Sequence, residues 1–153
     1  MRRKLVAIGL AILAPLMVAG FASGSADIQA PQTMHLTVVF EQATLVDADP
    51  SGPSLGDQQV GSGVIHHNGS KVGDFALTCT VDAVGSGGHW GGTCNGWGKF
   101  ADGYVTFGGE TGGNDRHTFA VTGGTGSYRN ARGQVHVTDL SQKKSRVVLE
   151  LIP

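Results

Sequence analysis

A glycine-rich stretch at residues 121–133, VTGGTGSYRNARG, holds the densest set of residues that could bind a ligand. Its first half has the form of a dinucleotide-binding loop, in which backbone amides at a helix N-terminus hold phosphate. Three observations oppose a nucleotide site. Arg129 replaces the third glycine, residues 134–139 alternate like a strand, and only about thirty residues remain, too few for a doubly wound sheet. We interpret the stretch as a corner between two strands whose glycines supply positive φ. Tyr128 would fill apolar space there, and Arg129 and Arg132 would pair with acids or carbonyls.

Six histidines raise the question of a metal site. His66 and His67 are adjacent, so in a strand they point to opposite faces and cannot easily bind one ion together. No spacing matches a zinc signature, and the other histidines fall on different predicted elements: His35, His89, His117 and His136. No nucleophile-elbow motif is present, although a Ser–His–Asp set scattered along the chain stays open. We therefore predict no metal and no cofactor.

The two cysteines, Cys79 and Cys94, flank a glycine-rich turn at residues 85–88. A hairpin centred between Ser86 and Gly87 places them directly opposite each other on adjacent strands, within reach of a disulfide bond. Closing a loop of this size stabilises a fold by ~3 kcal/mol in the chain-entropy model. The alternative is a reactive thiol, but export to an oxidising compartment favours the disulfide.

The N-terminal segment, residues 1–26, has the three parts of a secretory signal peptide. Basic residues stand at positions 2–4, an apolar run at 5–21 and small residues at 24–26. The alternative is a membrane anchor, but the run is short for a span and no basic stop follows it. The predicted organisation is a cleaved signal peptide followed by a single domain, residues 27–153, large enough to bury a core. We expect a secreted protein without stable membrane insertion.

The charge balance excludes one class of partner. The formal net charge is −1, and it becomes more negative when the basic residues of the signal peptide are removed. A nucleic-acid binder needs a basic surface. We therefore expect no nucleic-acid partner.

The elements that must position these residues are short strands. Many glycines, valines and threonines are typical of strands and tight turns, and no long helical period follows residue 26. Alternation predicts eight strands, at residues 34–46, 58–67, 72–83, 88–100, 104–110, 116–122, 134–139 and 145–152. Asn68-Gly69 and Asp102-Gly103 mark tight hairpin turns. These elements predict an all-β fold, an eight-stranded antiparallel up-and-down β-barrel, with the loop at residues 47–56 able to cover a mouth.

The glycine-rich corner also carries a family resemblance. Its GGTG-x-aromatic-R-x-ARG pattern resembles the signature of plant dirigent proteins, and VTGG-x-G resembles the matching corner of allene oxide cyclases. Gly56-Asp57, and Val72-Gly73 followed by Cys79, are similar to the runs into two strands of allene oxide cyclases. The GPSLGDQ segment, residues 52–58, resembles small secreted actinobacterial barrel-like proteins. The chain is identified as a member of the allene oxide cyclase/dirigent-like barrel superfamily, which implies one eight-stranded barrel.

The resemblance implies a lumen that binds a small apolar molecule. Allene oxide cyclases steer ring closure of an epoxide with a lumen glutamate and a cysteine, which fall here on Glu41 and Cys79. Their water-holding asparagines fall on Ala43 and Gly63, which argues against allene oxide cyclisation itself. Dirigent proteins guide radicals or quinone methides with lumen acids and arginine, and the motif arginine falls on Arg132. Spirotetronate-type cyclases of this barrel class fold a polyketide chain before ring closure. The catalytic candidates are therefore Glu41 and Arg132.

The first predicted strand has two alternative registers. One face carries Thr37, Val39 and Glu41, and the other carries the leucine, valine and phenylalanine at positions 36, 38 and 40. By hydropathy the second face is the core and Glu41 is a surface acid. By family register Glu41 faces the lumen, and Thr37, Val39 and Tyr128 contact the ligand. The apolar face would then lie outside, which predicts a homotrimer or homodimer.

Two functions follow from these patterns. The leading one is a secreted β-barrel that binds a small apolar molecule in its lumen and directs its cyclisation or coupling, as an isomerase-like, cyclase-like or dirigent-like protein. The alternative is a non-catalytic secreted barrel for small-molecule binding or interaction. The lumen volume separates ligand sites from structural roles. An empty apolar cavity of roughly a few hundred Å³ with convergent polar groups indicates a ligand site.

Overall fold

The computed structural model of the protein describes residues 31–52, 54–86 and 90–152. The signal peptide expected at residues 1–26, the expected start of the fourth strand at residue 88, and His89 all lie outside the described residues. Within the three described ranges, no helix is long and apolar enough to cross a membrane.

The described residues form eight antiparallel strands that close into one barrel. In chain order they are β1 (Gln32–Val46), β2 (Gln58–His67), β3 (Ser70–Val84), β4 (Trp90–Phe100), β5 (Gly103–Gly112), β6 (Arg116–Gly124), β7 (Arg132–Ser141) and β8 (Lys144–Ile152). Each strand pairs with its sequence neighbours, and β1 also pairs with β8, which removes the open edges. The predicted all-β up-and-down barrel is confirmed. β5 and β7 run past their predicted ends because pairing with the neighbouring strands holds them there despite weak local propensity.

The hairpin turns follow the local sequence. Asn68 and Gly69 both have positive φ, 51° and 83°, as the tight turn between β2 and β3 requires. In the next hairpin, Cys79 lies directly opposite Cys94 and the two form a disulfide. The predicted pairing and the predicted disulfide are both confirmed.

β1 turns its apolar face toward the barrel interior. Leu36 is 5% exposed, and the ring of Phe40 packs edge-on against Phe75 with 4.9 Å between centroids. Burying such side chains stabilises the fold by about 1.5–3 kcal/mol each, whereas burying an unpaired carboxylate is costly. The register expected from hydropathy is therefore the one adopted, and the expected lumen position of Glu41 is corrected.

A β-bulge interrupts β1 between Phe40 and Gln42. Glu41, the extra residue, is exposed, and Ala43 then lines the interior. A bulge adds one residue without a partner on the neighbouring strand. The alternation of inward and outward residues therefore shifts by one position at Glu41.

The two ends of the barrel are built differently. The loop end carries the long β1–β2 loop, residues 47–57, and the turns at 113–115 and 142–143. The corner end carries the turns at 68–69 and 101–102 and the glycine-rich corner, residues 125–131. Because neighbouring strands are antiparallel, every strand has one end at the loop end and the other at the corner end.

Tyr128 anchors the glycine-rich corner at the corner end. It is half-buried in the short 3-10 turn Gly126–Tyr128, and its ring lies 5.4 Å from that of Phe100, centroid to centroid. Burial of the phenol raises the pKa of Tyr128, and the nearby carboxylate of Asp102 raises it further. The expected role of Tyr128 in filling apolar space is the one observed.

The glycines of the corner are required for two different reasons. Gly126 has φ of +60°, and a Cβ there would also run into the carbonyl oxygen of Asp102. Gly124, which the sequence led us to expect at positive φ, is not in the left-handed region. A Cβ at Gly124 would instead meet the carbonyl oxygen of Tyr104 at 2.5 Å and the Cβ of Tyr128 at 2.8 Å. Close backbone approach, and not dihedral freedom, explains this glycine.

Asp57 fastens the long loop at the loop end. Its carboxylate accepts hydrogen bonds from the backbone amides of Ala48 and Ser54, at 2.8 and 2.9 Å, and from the hydroxyl of Ser54 at 2.9 Å. The amide of Ser54, then that of Ala48, lowers the pKa of Asp57, although burial opposes the shift. The loop is therefore tied to the first residues before β2 and does not hang free.

Candidate functional site

The barrel lumen contains a cavity of about 680 Å³. This volume falls within the range of small-molecule sites, roughly 300–1,000 Å³. The apolar part of its wall is supplied by inward residues of every strand: Leu36, Val38, Phe40, Ile65, Phe75, Leu77, Phe100, Val105, Phe107, Phe119, Val135, Val137, Val147 and Leu149. The side chains therefore do not fill the lumen.

The disulfide forms part of this wall. Cys79 and Cys94 both line the cavity, and both are almost fully buried. The resemblance implies a reactive cysteine at Cys79, but the sulfur of Cys79 is bonded to that of Cys94. The lumen has an inert sulfur surface there under oxidising conditions.

A second cavity of about 380 Å³ lies under the long loop at the loop end. The two cavities adjoin, because they share four lining residues: Ala43, Gln59, Cys79 and Trp90. The loop at residues 47–56 was expected to cover a mouth. It contributes Asp47 and Gly52 to the smaller cavity.

Exposed apolar side chains surround the loop end. They come from strand ends and from the long loop: Leu45, Val46, Leu55, Val84, Trp90 and Leu140. Single exposed apolar residues are ordinary, but a group at one rim is a feature of binding surfaces. The rim therefore offers an apolar approach to the lumen.

A chain of four polar side chains lies in the cavity wall at the loop end. The hydroxyl oxygen of Thr111 is 3.0 Å from Nδ1 of His117, and Nε2 of His117 is 3.6 Å from Oδ2 of Asp139. Ser145 donates a hydrogen bond of 2.6 Å to Oδ1 of Asp139. The His117 side chain is 13% exposed and that of Asp139 is 43% exposed, so Asp139 is the member of the pair that reaches solvent.

This arrangement favours one proton position on the His117 ring. The Asp139 carboxylate attracts a proton on Nε2, which leaves the lone pair of Nδ1 to accept a hydrogen bond from Thr111. Ser145, 2% exposed, holds the other oxygen of Asp139. A neutral imidazole oriented in this way can accept a proton at Nδ1 and pair with the carboxylate once it is charged.

The strands place these residues through simple alternation. His117 shares the inward face of β6 with Phe119, and Asp139 shares the inward face of β7 with Val137. Ser145 lies on the inward face of β8, at the loop end. Each polar residue lies within three residues of the end of its strand at the loop end, which explains why the polar groups gather at one rim.

The same trio of groups occurs once more on the outside of the barrel. Thr118 Oγ1 is 3.1 Å from Nδ1 of His136, and Nε2 of His136 is 3.6 Å from Oε2 of Glu150. Neither His136 nor Glu150 lines the cavity. The hydroxyl–imidazole–carboxylate pattern is therefore a product of strand pairing, and position in the lumen is what distinguishes His117.

The structure does not bring the site residues predicted from sequence together. Glu41 is exposed at the bulge in β1, and Arg132 is exposed at the start of β7, at the corner end. Thr37 and Val39 are half-buried on the outward face of β1, because the apolar residues between them face inward. Tyr128 is at the corner end and does not line the cavity. The lumen contacts expected for these residues are corrected accordingly.

Sequence reasoning missed His117 and Asp139. It considered the histidines as metal ligands, and in the described part of the chain no three histidine, cysteine or acidic side chains are grouped so as to hold an ion. The sequence signal that could have identified His117 is its position in the alternating pattern of β6. In the H-T-F-A-V run, His117 alternates in phase with Phe119 and Val121, which are both core residues.

Solved structures with the same barrel resemble this chain at low sequence identity, and no curated protein matches it. Pyocyanin demethylase has a TM-score of 0.71 and 24% identity over 78% of this chain and 99% of that one. AbnU, an exo-specific intermolecular Diels-Alderase, has a TM-score of 0.63 and 12% identity over 80% and 98%. The pterocarpan synthase dirigent protein GePTS1 has a TM-score of 0.59 and 17% identity over 90% and 96%. Likeness at these identities establishes the fold alone.

The match to a protein family covers most of the barrel. Residues 31–149 match the family described as the allene oxide cyclase barrel like domain. The matched range starts just before β1 and ends within β8. The chain therefore belongs to the allene oxide cyclase barrel-like family.

Proposed function

We propose that this protein binds a small apolar molecule in its lumen and directs the cyclisation or coupling of that molecule. The observation that carries the proposal is the cavity of about 680 Å³, apolar along its wall and polar at the loop end. Catalysis in such a site consists mostly of holding the ligand in one folded geometry while water is excluded. The apolar rim at the loop end supports ligand access from that side.

The structural neighbours support the same class of role. Their names describe a demethylase, an intermolecular Diels-Alderase and a pterocarpan synthase dirigent protein. All three names refer to chemistry on a small organic molecule. The shared barrel fold is compatible with binding in a lumen, although fold alone does not assign a reaction.

The second candidate function is a non-catalytic binding barrel. The observation that favours it is the disulfide, which leaves Cys79 without a free thiol. The alanine at position 43 and the glycine at position 63 also supply no side chain that could hold a water molecule. Both candidates require an occupied lumen, and they differ in whether the bound molecule is changed.

We also propose that the barrel acts outside the cell, after removal of residues 1–26. The disulfide and the apolar N-terminal run are both compatible with export. N-terminal sequencing of protein recovered from culture medium would test this. A start at residue 1 in the recovered protein would contradict it.

Lumen binding is tested with a cavity-filling variant and a matched control. Val137 is half-buried and lines the cavity, whereas Val148 is half-buried on the outward face of the neighbouring strand. Val137→Trp should weaken binding of the apolar dye Nile red by about tenfold or more, because the indole occupies the ligand's space. Val148→Trp should bind the dye as the unmodified protein does. Equal binding by all three proteins would place the dye elsewhere and contradict the proposal.

Mass spectrometry distinguishes the two candidate functions. Small molecules that copurify with the protein are identified, then returned to it in purified form. A ligand recovered unchanged supports the binding barrel. A ligand converted into a cyclised isomer, or into a product that joins two ligand molecules, supports the leading proposal.

A further inference from the structure

His117 differs from its outer counterpart His136 in what surrounds it. Its ring is nearly parallel to that of Phe119, with 6.2 Å between centroids, and it lines the cavity. The other polar side chains of the lining, such as Gln59, Asn114 and Gln142, also lie at the loop end, and the wall beyond them is apolar. A ligand with one polar group would place that group at the loop end, because only there can it find hydrogen-bond partners.

The other ionisable groups around His117 are few. In the described cavity lining, the only other titratable side chains are Asp139 on β7 and Asp115 in the turn before β6. β5 and β8 contribute the hydroxyls of Thr111 and Ser145 to the lining, and no described basic side chain joins them. In the described lining, the charged groups that share the cavity with His117 are therefore both carboxylates.

We propose that His117 is an acid–base residue for the molecule bound in the lumen. Nδ1 of His117 accepts a proton from an acidic O–H or an enolisable C–H of the ligand, whose bonding electrons remain on the ligand as an oxyanion or enolate. The same proton then returns to a different atom of the ligand. The ligand is isomerised, no electrons are exchanged, and no co-reactant is consumed.

The inference names a substrate class and rests on the proposed function. The substrate is an apolar molecule, compatible with a wall containing Phe40, Phe75, Phe100, Phe107 and Phe119, that bears one hydroxyl or carbonyl group at its end. The ligand's O–H or C–H takes the place of the Thr111 hydroxyl at Nδ1, and that hydroxyl is then free to donate a hydrogen bond to the ligand's oxygen. Asp139 is a positioning residue, because it acts on the ligand through the His117 ring.

The test uses two probes that differ only in an acidic proton. Para-nitrophenol absorbs differently as phenol and as phenolate, and para-nitroanisole carries a methyl group in place of that proton. Both probes should bind the unmodified protein. Bound para-nitrophenol should ionise at lower pH than in His117→Gln, with roughly a tenfold change in its ionisation equilibrium, because the imidazole accepts the proton and remains beside the phenolate.

The matched control is His136→Gln, which removes the same type of contact from the outside of the barrel. It should leave the ionisation of bound para-nitrophenol unchanged. Asp139→Asn should still bind para-nitroanisole, because the amide has nearly the shape of the carboxylate and keeps the cavity volume. It should shift the pH profile of bound para-nitrophenol, because it removes the charge beside the His117 ring.

The outcomes separate this inference from the proposed function. If para-nitroanisole binds but bound para-nitrophenol ionises equally in the unmodified protein and in His117→Gln, the acid–base role is overturned and lumen binding stands. If neither probe binds, both the proposed function and this inference fail.

A measurement on the unmodified protein covers the case in which His117→Gln does not fold. The ring-nitrogen NMR shifts of His117 report which nitrogens carry protons. Saturation with para-nitrophenol, but not with para-nitroanisole, should convert Nδ1 to its protonated form. An unchanged Nδ1 signal with para-nitrophenol bound would overturn the acid–base role.

Discussion

Phe40 and Glu41 are neighbours in the chain but lie on opposite sides of the barrel wall. The ring of Phe40 contacts Phe75 and lines the lumen, whereas the carboxylate of Glu41 is exposed at the bulge. At the scale of single residues, the acid–base role proposed for the lumen therefore falls to His117 and its partner Asp139, and not to Glu41. A surface carboxylate in water has no reason to take part in reactions inside the barrel.

We expect Phe40→Asp to destabilise the protein by more than about 3 kcal/mol, through lost packing and a buried carboxylate. Glu41→Gln is the matched control, and it should change stability by less than about 0.5 kcal/mol. Urea unfolding followed by circular dichroism measures both. If Phe40→Asp stays folded and instead dissociates an oligomer, β1 has the opposite register.

Alternation within strands was enough to predict the fold, but it was insufficient at irregular positions. Residues 58–67 and the Asn68-Gly69 turn follow their local pattern, so both were predicted as observed. The bulge after Phe40 carries no sequence signal, because any residue can be the extra one. The register of β1 could therefore be argued from hydropathy but not from the resemblance.

The candidate site was harder to predict than the fold. The four polar residues of the site lie on four different strands, and only the pairing of β5 through β8 brings them together. They are Thr111, His117, Asp139 and Ser145. Each is unremarkable in its own segment. The cysteine pair could be predicted because both members belong to one hairpin, whose centre fixes their pairing.

At the scale of elements, the Asp57 carboxylate accepts three of the hydrogen bonds that hold the long β1–β2 loop. Asp57 gathers the amides of Ala48 and Ser54, and its pKa is lowered by them from the ordinary value of 3.8. Because the pKa of Asp57 is lower in the folded protein than in the unfolded chain, the charged carboxylate stabilises the fold at pH values above the unfolded pKa. That contribution is lost as pH falls below 3.8 and through the folded pKa.

We expect Asp57→Asn to lower the melting temperature at neutral pH and to flatten its decline between neutral pH and strong acid. The amide cannot replace a charged acceptor of two backbone donors, and it does not titrate. Asp49→Asn, at an exposed position in the same loop, is the control. Melting curves across this pH range measure the effect. Parallel curves for Asp57→Asn and the unmodified protein would contradict it.

At the scale of the whole molecule, hydrogen bonds between strands close the barrel, and one disulfide joins β3 to β4. The disulfide joins residues 15 positions apart on adjacent strands that the sheet already pairs. Its loss should therefore weaken the barrel without changing its architecture. The eight-stranded sheet has no edge at which a shortened strand would separate first.

We expect reduction of Cys79–Cys94 to destabilise the protein by ~3 kcal/mol, the chain-entropy cost of a loop of this size. Strand content at room temperature should not change. Calorimetry with and without reductant measures the shift, and mass spectrometry verifies the gain of two hydrogens. The double variant Cys79→Ala, Cys94→Ala should not respond to reductant. An unchanged melting temperature in fully reduced protein would contradict the prediction.

The pairing that closes the barrel also places Gln32 beside Leu151, at the corner end. Both ends of the described barrel therefore emerge at the rim farthest from His117 and the apolar rim of the loop end. A short linker could join them, and a circularly permuted chain opened at the Asn68-Gly69 turn would keep every strand pair. A tag, a carrier protein or a solid support attached at either end would lie on the side of the barrel opposite the loop end. The two ends of the described barrel and the rim that carries His117 therefore lie on opposite sides of the molecule.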